Sequence, residues 1–425
     1  MTKQQIVLIG IGVGFLVVVI AVFIFGLKPG KEPKQTAALE FWGVEDPAAV
    51  YETAFRRFQS LYPSVKINYR DFPEKSYETE LVKGLASGNG PDIFMVNHNW
   101  LPEYFDKLIP VPSQKFNLES LRNFFPQVVE QDFAPDGLLF ALPLSIDTLV
   151  LYYNRDVFDQ NAVISLPATW EDVQNVILQT RRTDSAGKII KAGASIGGSE
   201  NTIDRATDLL YLLMLQTGTE MTNPDFTQAA FNSPAGKKAL DFYLKFSNPT
   251  DTYYTWNESL RYSLDAFANE ETAMIFNYGA AGREIERRNP FLKFSKIAMP
   301  QPKEAEKRAD YAEYWGYAVS NKSRHPIQAW DFILNLTTNF DNAKAYAEKT
   351  GKAPALRPLI SSYSSHPVSG ILAKQSLTAR SWPQPDKEET RKIFSDMISD
   401  VLNSRLAPDV SLNQAALKVT RLMIK

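Results

Sequence analysis

Predicted strands and helices alternate near the start of the chain, and this order restricts the fold more than any other feature of the sequence. Alternating apolar residues predict strands, and apolar residues at every third or fourth position predict helices. Asp46-Pro47 is typical of a helix N-cap followed by a first-turn proline. The successive segments are residues 38–42, about 46–61, 65–69, 76–85 and 93–96. A β-α-β-α-β order predicts a parallel sheet with helices on both faces.

Length and composition indicate a globular protein with more than one domain. The chain has 425 residues, of which 44% are hydrophobic and 22% are charged, so two α/β domains are expected. The formal net charge of −2 gives no electrostatic reason to bind nucleic acid. The sequence contains no cysteine, which excludes disulfides, thiolate metal sites, cysteine nucleophiles and a lipidated cysteine.

The N-terminal segment 6–27 is apolar and uncharged. As a helix with a rise of about 1.5 Å per residue, it is long enough to cross about 30 Å of hydrocarbon. We interpret it as an uncleaved transmembrane anchor, followed by a polar tether that reaches residue 35. A cleaved signal peptide is the alternative, although its apolar core is usually shorter and Thr36-Ala37-Ala38 is a poor cleavage site.

Four segments resemble those of family 1 extracellular solute-binding proteins, the group that includes maltose-binding protein. They occur in the family's order, and the resemblance covers nearly all of residues 38–425. The four segments are residues 85–94 (LASGNGPDIF), 143–154 (PLSIDTLVLYYN), 169–172 (TWED) and 273–279 (AMIFNYG).

The resemblance implies an α/β, two-lobed periplasmic-binding-protein-like fold of the class II type. The lobes would be joined by crossing strands and would close like a hinge on a sugar or oligosaccharide, without chemistry and without a cofactor. The first lobe is expected at 36–146 and 297–338, and the second at 147–296 and 339–425. The implied partner is the permease of an ABC transporter, and the protein is expected to be a monomer.

The same resemblance implies that the folded part lies outside the cytoplasm. The charges that flank segment 6–27 predict the opposite, because Lys28, Lys31 and Lys34 follow the segment whereas Lys3 precedes it. The count rests on few charges, and we expect the orientation that the resemblance implies.

Several candidate ligand residues follow predicted strands of the first lobe. Trp42 could stack on a sugar ring, while Glu45, Asn97 and Asn99 could bond its hydroxyls. The alternatives are that Trp42 packs in the core and that the polar residues belong to a surface loop. His98 lies in the same run and is as well explained by a structural role.

The remaining candidates lie further along the chain. The family places a ligand-binding acid in the crossing segment, which implies this role for Asp147. Tyr278 and Trp315 could supply stacking rings at strand ends, with core packing as the alternative. Arg357 and Trp382 lie in proline-bearing loops that are typical of a binding surface.

Other functions remain open at this stage. Residues 193–197 (GASIG) match the nucleophile elbow of hydrolases, which would make Ser195 a nucleophile, but so short a pattern often occurs by chance. A glycosidase would need a pair of catalytic carboxylates. The spacing of the acidic residues in this sequence does not distinguish any one pair. The three histidines are scattered, so no metal site is expected. A membrane-anchored lectin or sensor is the main alternative to a transport receptor.

Overall fold

The computed structural model describes residues 37–424, in which thirteen strands and seventeen α-helices are found. The strands are β1 Ala37–Val44, β2 Val65–Phe72, β3 Ile93–Asn97, β4 Leu108–Ile109, β5 Ala141–Pro143, β6 Asp147–Asn154, β7 Arg182–Thr183, β8 Ile189–Lys191, β9 Met274–Tyr278, β10 Phe294–Ala298, β11 Asp310–Glu313, β12 Trp315–Ser320 and β13 Ala379–Arg380. The helices are α1 Glu52–Leu61, α2 Glu74–Ser87, α3 Leu101–Tyr104, α4 Leu118–Phe124, α5 Gln127–Phe133, α6 Arg155–Gln160, α7 Trp170–Thr180, α8 Ala206–Gln216, α9 Pro234–Leu244, α10 Ser263–Ala268, α11 Ala281–Arg288, α12 Pro326–Thr338, α13 Phe340–Thr350, α14 Arg357–Tyr363, α15 Gly370–Ser376, α16 Lys387–Leu402 and α17 Pro408–Met423.

The first sheet has the strand order β2-β1-β3-β12-β4, and β5 pairs with β12. Strand β1 runs parallel to β2 and β3, which confirms the parallel sheet predicted from the β-α-β-α-β order. Strand β12 runs antiparallel to β3 and pairs Trp315 with Asn97. The C-terminal ends of β1 and β3 and the start of β12 therefore meet at one edge of the sheet.

The second sheet is built around β6, which pairs antiparallel with β9, β10 and β11. The pairing of Leu149 with Tyr278 brings the end of β9 to the start of β6. Helix α7 begins with a capping box, in which Thr169 and Asp172 each accept from the other's backbone N–H. A turn at residues 184–187 joins β7 to β8.

Each sheet has its own apolar core, so the chain forms two lobes. Phe41 lies at the centre of the first core, with edge-to-face contacts to Tyr69 at 4.8 Å and to Phe332 at 5.9 Å. The second core surrounds α8, which is buried along nearly its whole length. The chain crosses between the sheets after β5, between β11 and β12, and between α14 and α15.

The lobe boundaries in the structure differ from those predicted. Helices α13 and α14 pack on the first core, although residues 339–425 were assigned to the second lobe. The Tyr346 ring stacks on Tyr51 at 5.7 Å, which holds α13 against the first sheet. The last two residues of β10, 297–298, and strand β11 pair with β6 and so belong to the second sheet, although residues 297–338 were assigned to the first lobe.

Asp46 does not have the predicted role of a helix N-cap. A 3-10 turn, Ala48–Tyr51, follows it, and α1 begins only at Glu52. The carboxylate of Asp46 instead accepts from the Tyr346 hydroxyl at 2.6 Å and from the Lys352 ammonium at 2.8 Å. These contacts join the end of β1 to residues 300 or more positions away.

The predicted membrane anchor, residues 6–27, lies outside the described residues. Within residues 37–424, no helix has the length and apolarity that a membrane span requires.

Candidate functional site

Glu313 links the two lobes through hydrogen bonds to both. Its carboxylate accepts from the Asn97 amide at 2.6 Å and from the Lys387 ammonium at 3.0 Å. Asn97 ends β3 of the first lobe, whereas Lys387 begins α16 of the second. Burial alone would raise the pKa of Glu313, but Lys387 and Arg205 outweigh it and lower the pKa to about 2. Glu313 is therefore a fixed negative charge where the lobes meet.

A second charged group lies beside it on the second lobe. Arg205 has a left-handed backbone with φ of 64°, immediately before α8, and its guanidinium lies 5.3 Å from the centre of the Tyr278 ring. Asp208 accepts from the Tyr278 hydroxyl at 3.0 Å and lies 3.9 Å from Arg205. Burial raises the pKa of Asp208 to about 6, although Arg205 opposes the shift. This arrangement fixes the Tyr278 ring at the end of β9.

The first lobe contributes two acids to the same region. Glu45 has a left-handed backbone with φ of 59° and accepts from the backbone N–H of Glu74, the first residue of α2. Partial burial and the charge of Glu313 raise the pKa of Glu74, although Lys387 and Arg205 oppose the shift. Both carboxylates follow strands of the first sheet.

His98 lies between this polar group and a cavity. Its ring is 2% exposed and stacks on Tyr314, with the ring centres 5.2 Å apart. Burial lowers the pKa of His98 to about 4, so the ring is neutral at physiological pH. Neither ring nitrogen has a hydrogen-bond partner in the protein, and the side chain lines the cavity.

The cavity has a volume of about 760 Å³ and is bounded by both lobes. The first lobe supplies the loop after β3, α3 and the end of α5, and the second supplies the loop around 222–226, the loop before α16 and the end of α17. Its apolar walls include Leu101, Phe105, Phe226 and five prolines, and polar groups such as Gln131 and Asn223 lie between them. An apolar cavity with a few polar groups is typical of a small-molecule site.

Residues 131–132 connect the lobes along one wall of this cavity. Gln131 donates to the Ser381 carbonyl at 2.6 Å, and the Ser381 hydroxyl donates to the buried carboxylate of Asp132. The Tyr314 hydroxyl donates to the same carboxylate at 2.6 Å. Because Tyr314 lies in a crossing segment, these bonds tie the wall of the cavity to the connection between the lobes.

Some of the predicted site residues lie in this region. Glu45, Asn97 and Tyr278 belong to the charged groups at the lobe junction. Trp315 begins β12 beside Asn97, half-buried, with edge-to-face contacts to Trp100 at 5.1 Å and Tyr77 at 5.8 Å.

Trp42 and Trp382 are core residues, which corrects their predicted placement on a binding surface. The Trp42 ring packs on Phe72 at 4.8 Å and beneath Gly84 of α2, where an added Cβ would lie 2.7 Å from the ring. Trp382 is 2% exposed and packs edge-to-face against Tyr211 at 5.3 Å in the second core. Both rings lack the exposed face that stacking on a ligand requires.

Three further predicted residues have structural partners. Arg357 donates to the Phe125 carbonyl at 2.7 Å within the first lobe and does not line the cavity. Asn99 is buried, and its backbone N–H donates to the Asn97 side chain at 3.3 Å, whereas its own side-chain oxygen has no hydrogen-bond partner in the protein. The Asp147 carboxylate accepts from the backbone N–H groups of Thr148, Gly279 and Ala280 at 2.8–2.9 Å, so it holds the turn after β9.

We expect Asp147→Ala to lower the free energy of unfolding by about 2–3 kcal/mol, because three backbone donors lose a charged acceptor. Urea titration of the full-length protein measures this change. Asp147→Asn keeps one acceptor oxygen and should cost less. A variant with unchanged stability and lost ligand binding would contradict the structural role and restore the predicted role as a ligand group.

Arg205, Asp208, Glu313 and Lys387 were not predicted from the sequence. Glu313 stands just before the aromatic pair Tyr314-Trp315, and this charge inside an apolar strand pattern was a usable signal. The other three lie at or near the starts of helices, where charged residues are common.

The serine of the nucleophile-elbow motif is not accessible in the structure. Ser195 is buried in the second lobe, and its backbone N–H pairs with Met274. Within residues 37–424, no three His, Asp or Glu side chains are grouped as ligands for a metal ion.

Comparison with known proteins agrees with this architecture. Residues 42–340 match the family model of the bacterial extracellular solute-binding proteins. The chain is 21% identical to a binding protein of Brucella abortus over 88% of this chain and 90% of that protein. It is 22% identical to the maltodextrin-binding protein MdxE of Bacillus subtilis over 77% and 76% of the two chains.

Solved structures share the fold. The sugar-binding protein MalE of Xanthomonas citri is 17% identical and superposes with a TM-score of 0.76 over 91% of this chain and 98% of its own. The cyclic alpha-maltosyl-1,6-maltose binding protein of Arthrobacter globiformis is 18% identical, with a TM-score of 0.75 over 91% and 99% of the two chains. These relatives are binding proteins rather than enzymes. The chain therefore belongs to the bacterial extracellular solute-binding protein family.

Proposed function

We propose that this protein captures a sugar or oligosaccharide between its lobes and delivers it to the permease of an ABC transporter. The observation that carries this proposal is the cavity of about 760 Å³ bounded by both lobes. Its size lies within the roughly 300–1,000 Å³ range of ligand sites. Two of the similar proteins, the maltodextrin-binding protein and the cyclic alpha-maltosyl-1,6-maltose binding protein, support a carbohydrate as the ligand.

The lining suits a carbohydrate because a sugar ring has an apolar face and a polar rim. Leu101, Phe105 and Phe226 can pack against the apolar face. Gln131 and Asn223 can exchange hydrogen bonds with hydroxyls, and neutral His98 offers one donor and one acceptor. No covalent step is required of these groups.

Hinge closure is the proposed means of capture. The lobes are joined by three crossing segments, and a ligand that contacts both walls would favour the closed arrangement. We further propose that residues 6–27 anchor the chain with its folded part outside the cytoplasm, which agrees with membership in an extracellular family. Residues 28–35 would then be the tether.

Thermal unfolding of the full-length protein in mild detergent tests the proposal. The panel contains mono- and oligosaccharides, with polyols and peptides as controls. A ligand at about 100 times its dissociation constant adds about 2.7 kcal/mol of stability and raises the melting temperature. Stabilisation by one sugar class, without product after long incubation, is the expected result. Stabilisation by peptides alone, or formation of a product, would contradict the proposal.

Two matched variants locate the site. Phe226 has a left-handed backbone with φ of 52°, and asparagine tolerates this conformation while removing the ring. Phe226→Asn should weaken sugar binding about tenfold by calorimetry. Phe291 is 92% exposed and does not line the cavity, so Phe291→Asn should leave the affinity unchanged. Equal affinities of the two variants would place the sugar elsewhere.

A further inference from the structure

The lining of the cavity carries only one sign of charge. Four acidic residues line it: Glu103, Asp132, Asp136 and Asp386. Asp132 is not counted with the other three as a negative charge, because its carboxyl accepts from Ser381 and Tyr314 and burial raises its pKa to about 7. Among the described residues, no lysine or arginine does so. His98 contributes no charge at neutral pH. A cavity with apolar walls and acidic groups attracts cations and repels anions.

Acidic groups also face each other across the lobes beside this cavity. Glu78 and Glu103 come from the first lobe, and Asp386 and Glu388 come from the second. Burial and the charges of Glu78 and Asp386 raise the pKa of Glu103. Burial and the charge of Glu388 raise the pKa of Glu78, although a hydrogen bond from Tyr104 opposes the shift. Like charges from the two lobes are therefore close enough to oppose closure.

The neighbouring cations offset these acids only in part. Lys107 opposes the raised pKa of Glu103 and Lys387 opposes that of Glu78, but each cation also pairs with another carboxylate. Lys387 lies 3.0 Å from Glu313, and Lys107 lies 2.7 Å from Asp106. Arg205 lies 3.9 Å from Asp208. The acids that face the cavity thus remain in excess over the nearby positive charges.

From the acidic lining, the opposed acids of the two lobes and the unpartnered ring of His98, we infer that the ligand is a sugar or oligosaccharide bearing a protonated amine. This inference rests on the proposed function and narrows its substrate class. The ammonium would lie between Glu103 and Asp386 and offset the repulsion that opposes closure. His98 is 2% exposed and lines the cavity, and neither of its ring nitrogens has a hydrogen-bond partner in the protein.

An organic cation fits these groups better than a metal ion. The carboxylates are distributed around the walls, and within residues 37–424 no three acidic or histidine side chains converge as metal ligands. An amino sugar also uses the apolar walls formed by Leu101, Phe105 and Phe226, which a small ion cannot contact.

Calorimetry of the full-length protein with three probes of equal length tests the inference. The probes are a glucosamine trimer, its neutral N-acetylated counterpart and a trimer of galacturonic acid. We expect the glucosamine trimer to bind at least about tenfold more tightly than the neutral trimer, and the uronate trimer not to bind. The preference should decrease as salt is raised, because exposed charges are screened.

The double variant Glu103→Gln/Asp386→Asn removes the two opposed charges. Asparagine keeps the N-cap that Asp386 provides to the backbone N–H of Glu389, so α16 should retain its start. This variant should lose the preference for the amine. Glu304→Gln removes an exposed acid that does not line the cavity and should keep the preference.

The outcomes distinguish failure of the amine inference from failure of the proposed carbohydrate capture. If the neutral trimer binds as tightly as the glucosamine trimer, or the uronate binds best, the amine inference is wrong and carbohydrate capture stands. If none of the three trimers and none of the panel sugars binds, both proposals are wrong.

Discussion

Replacing Glu313 by alanine is expected to lower the free energy of unfolding by about 3–4 kcal/mol, because it breaks a largely buried ion pair. The Glu313 and Lys387 side chains are only 17% and 19% exposed. The variant leaves the Lys387 ammonium without its partner and removes the acceptor of the buried Asn97 amide. Chemical denaturation at neutral pH measures the loss.

Glu313→Gln is the matched control. It keeps an acceptor oxygen for Asn97 and Lys387 and removes only the charge, so its cost should be smaller. A double-mutant cycle with Lys387→Met isolates the pair, and we expect a coupling energy above about 1 kcal/mol. An alanine variant as stable as the wild type would mean that Glu313 does not join the lobes in solution.

The stability of the protein should depend on the protonation of Asp132. Burial raises the pKa of Asp132 to about 7, although the hydrogen bonds from Ser381 and Tyr314 oppose the shift. The usual aspartate pKa is near 4, so between about pH 4 and pH 7 the folded state binds more protons than the unfolded state at this carboxyl. Stability from this group is therefore fully present below pH 4, decreases as the pH rises to about 7, and is then constant.

Asp132→Asn removes this dependence. The unfolding free energy of the variant minus that of the wild type should rise by an amount on the order of 4 kcal/mol between pH 4 and pH 8. His98 contributes in the opposite direction, because its pKa is lowered to about 4, but it is present in both proteins and cancels in the difference. Denaturant titrations of both proteins at several pH values measure this difference in unfolding free energy. A difference that does not change with pH would contradict a buried carboxyl at this position.

Much of the fold could be predicted from the sequence because local patterns determine it. Strands β1, β2 and β3 form where the sequence predicts them, and β1 pairs in parallel with β2 and β3 as the alternation of strands with helices requires. The capping box at Thr169 and Asp172 lies within four residues and depends on nothing distant. The lobe boundaries were less accurate, because the packing of α13 on the first core is a tertiary contact with Tyr51.

The candidate site was harder to predict because its contacts join distant segments. Asn97 was predicted as a ligand group, yet its amide is held by Glu313, which lies 216 residues away. Trp42 was assigned to the ligand because it ends a strand, but its side chain points to the face that α2 covers. Asp147 was expected to face a ligand, and three backbone donors occupy its carboxylate instead. Spacing along the chain does not reveal any of these partners.

The distance between the lobes, measured with and without a bound oligosaccharide, tests the central claim most directly. The chain contains no cysteine, so Glu119→Cys on α4 and Lys418→Cys on α17 would place one spin label on each lobe. Both positions are exposed and lie outside the cavity lining. We expect saturating oligosaccharide to shorten and narrow the distribution of distances between the labels, as closure of the two lobes requires. An unchanged distribution with the sugar bound would contradict capture by closure.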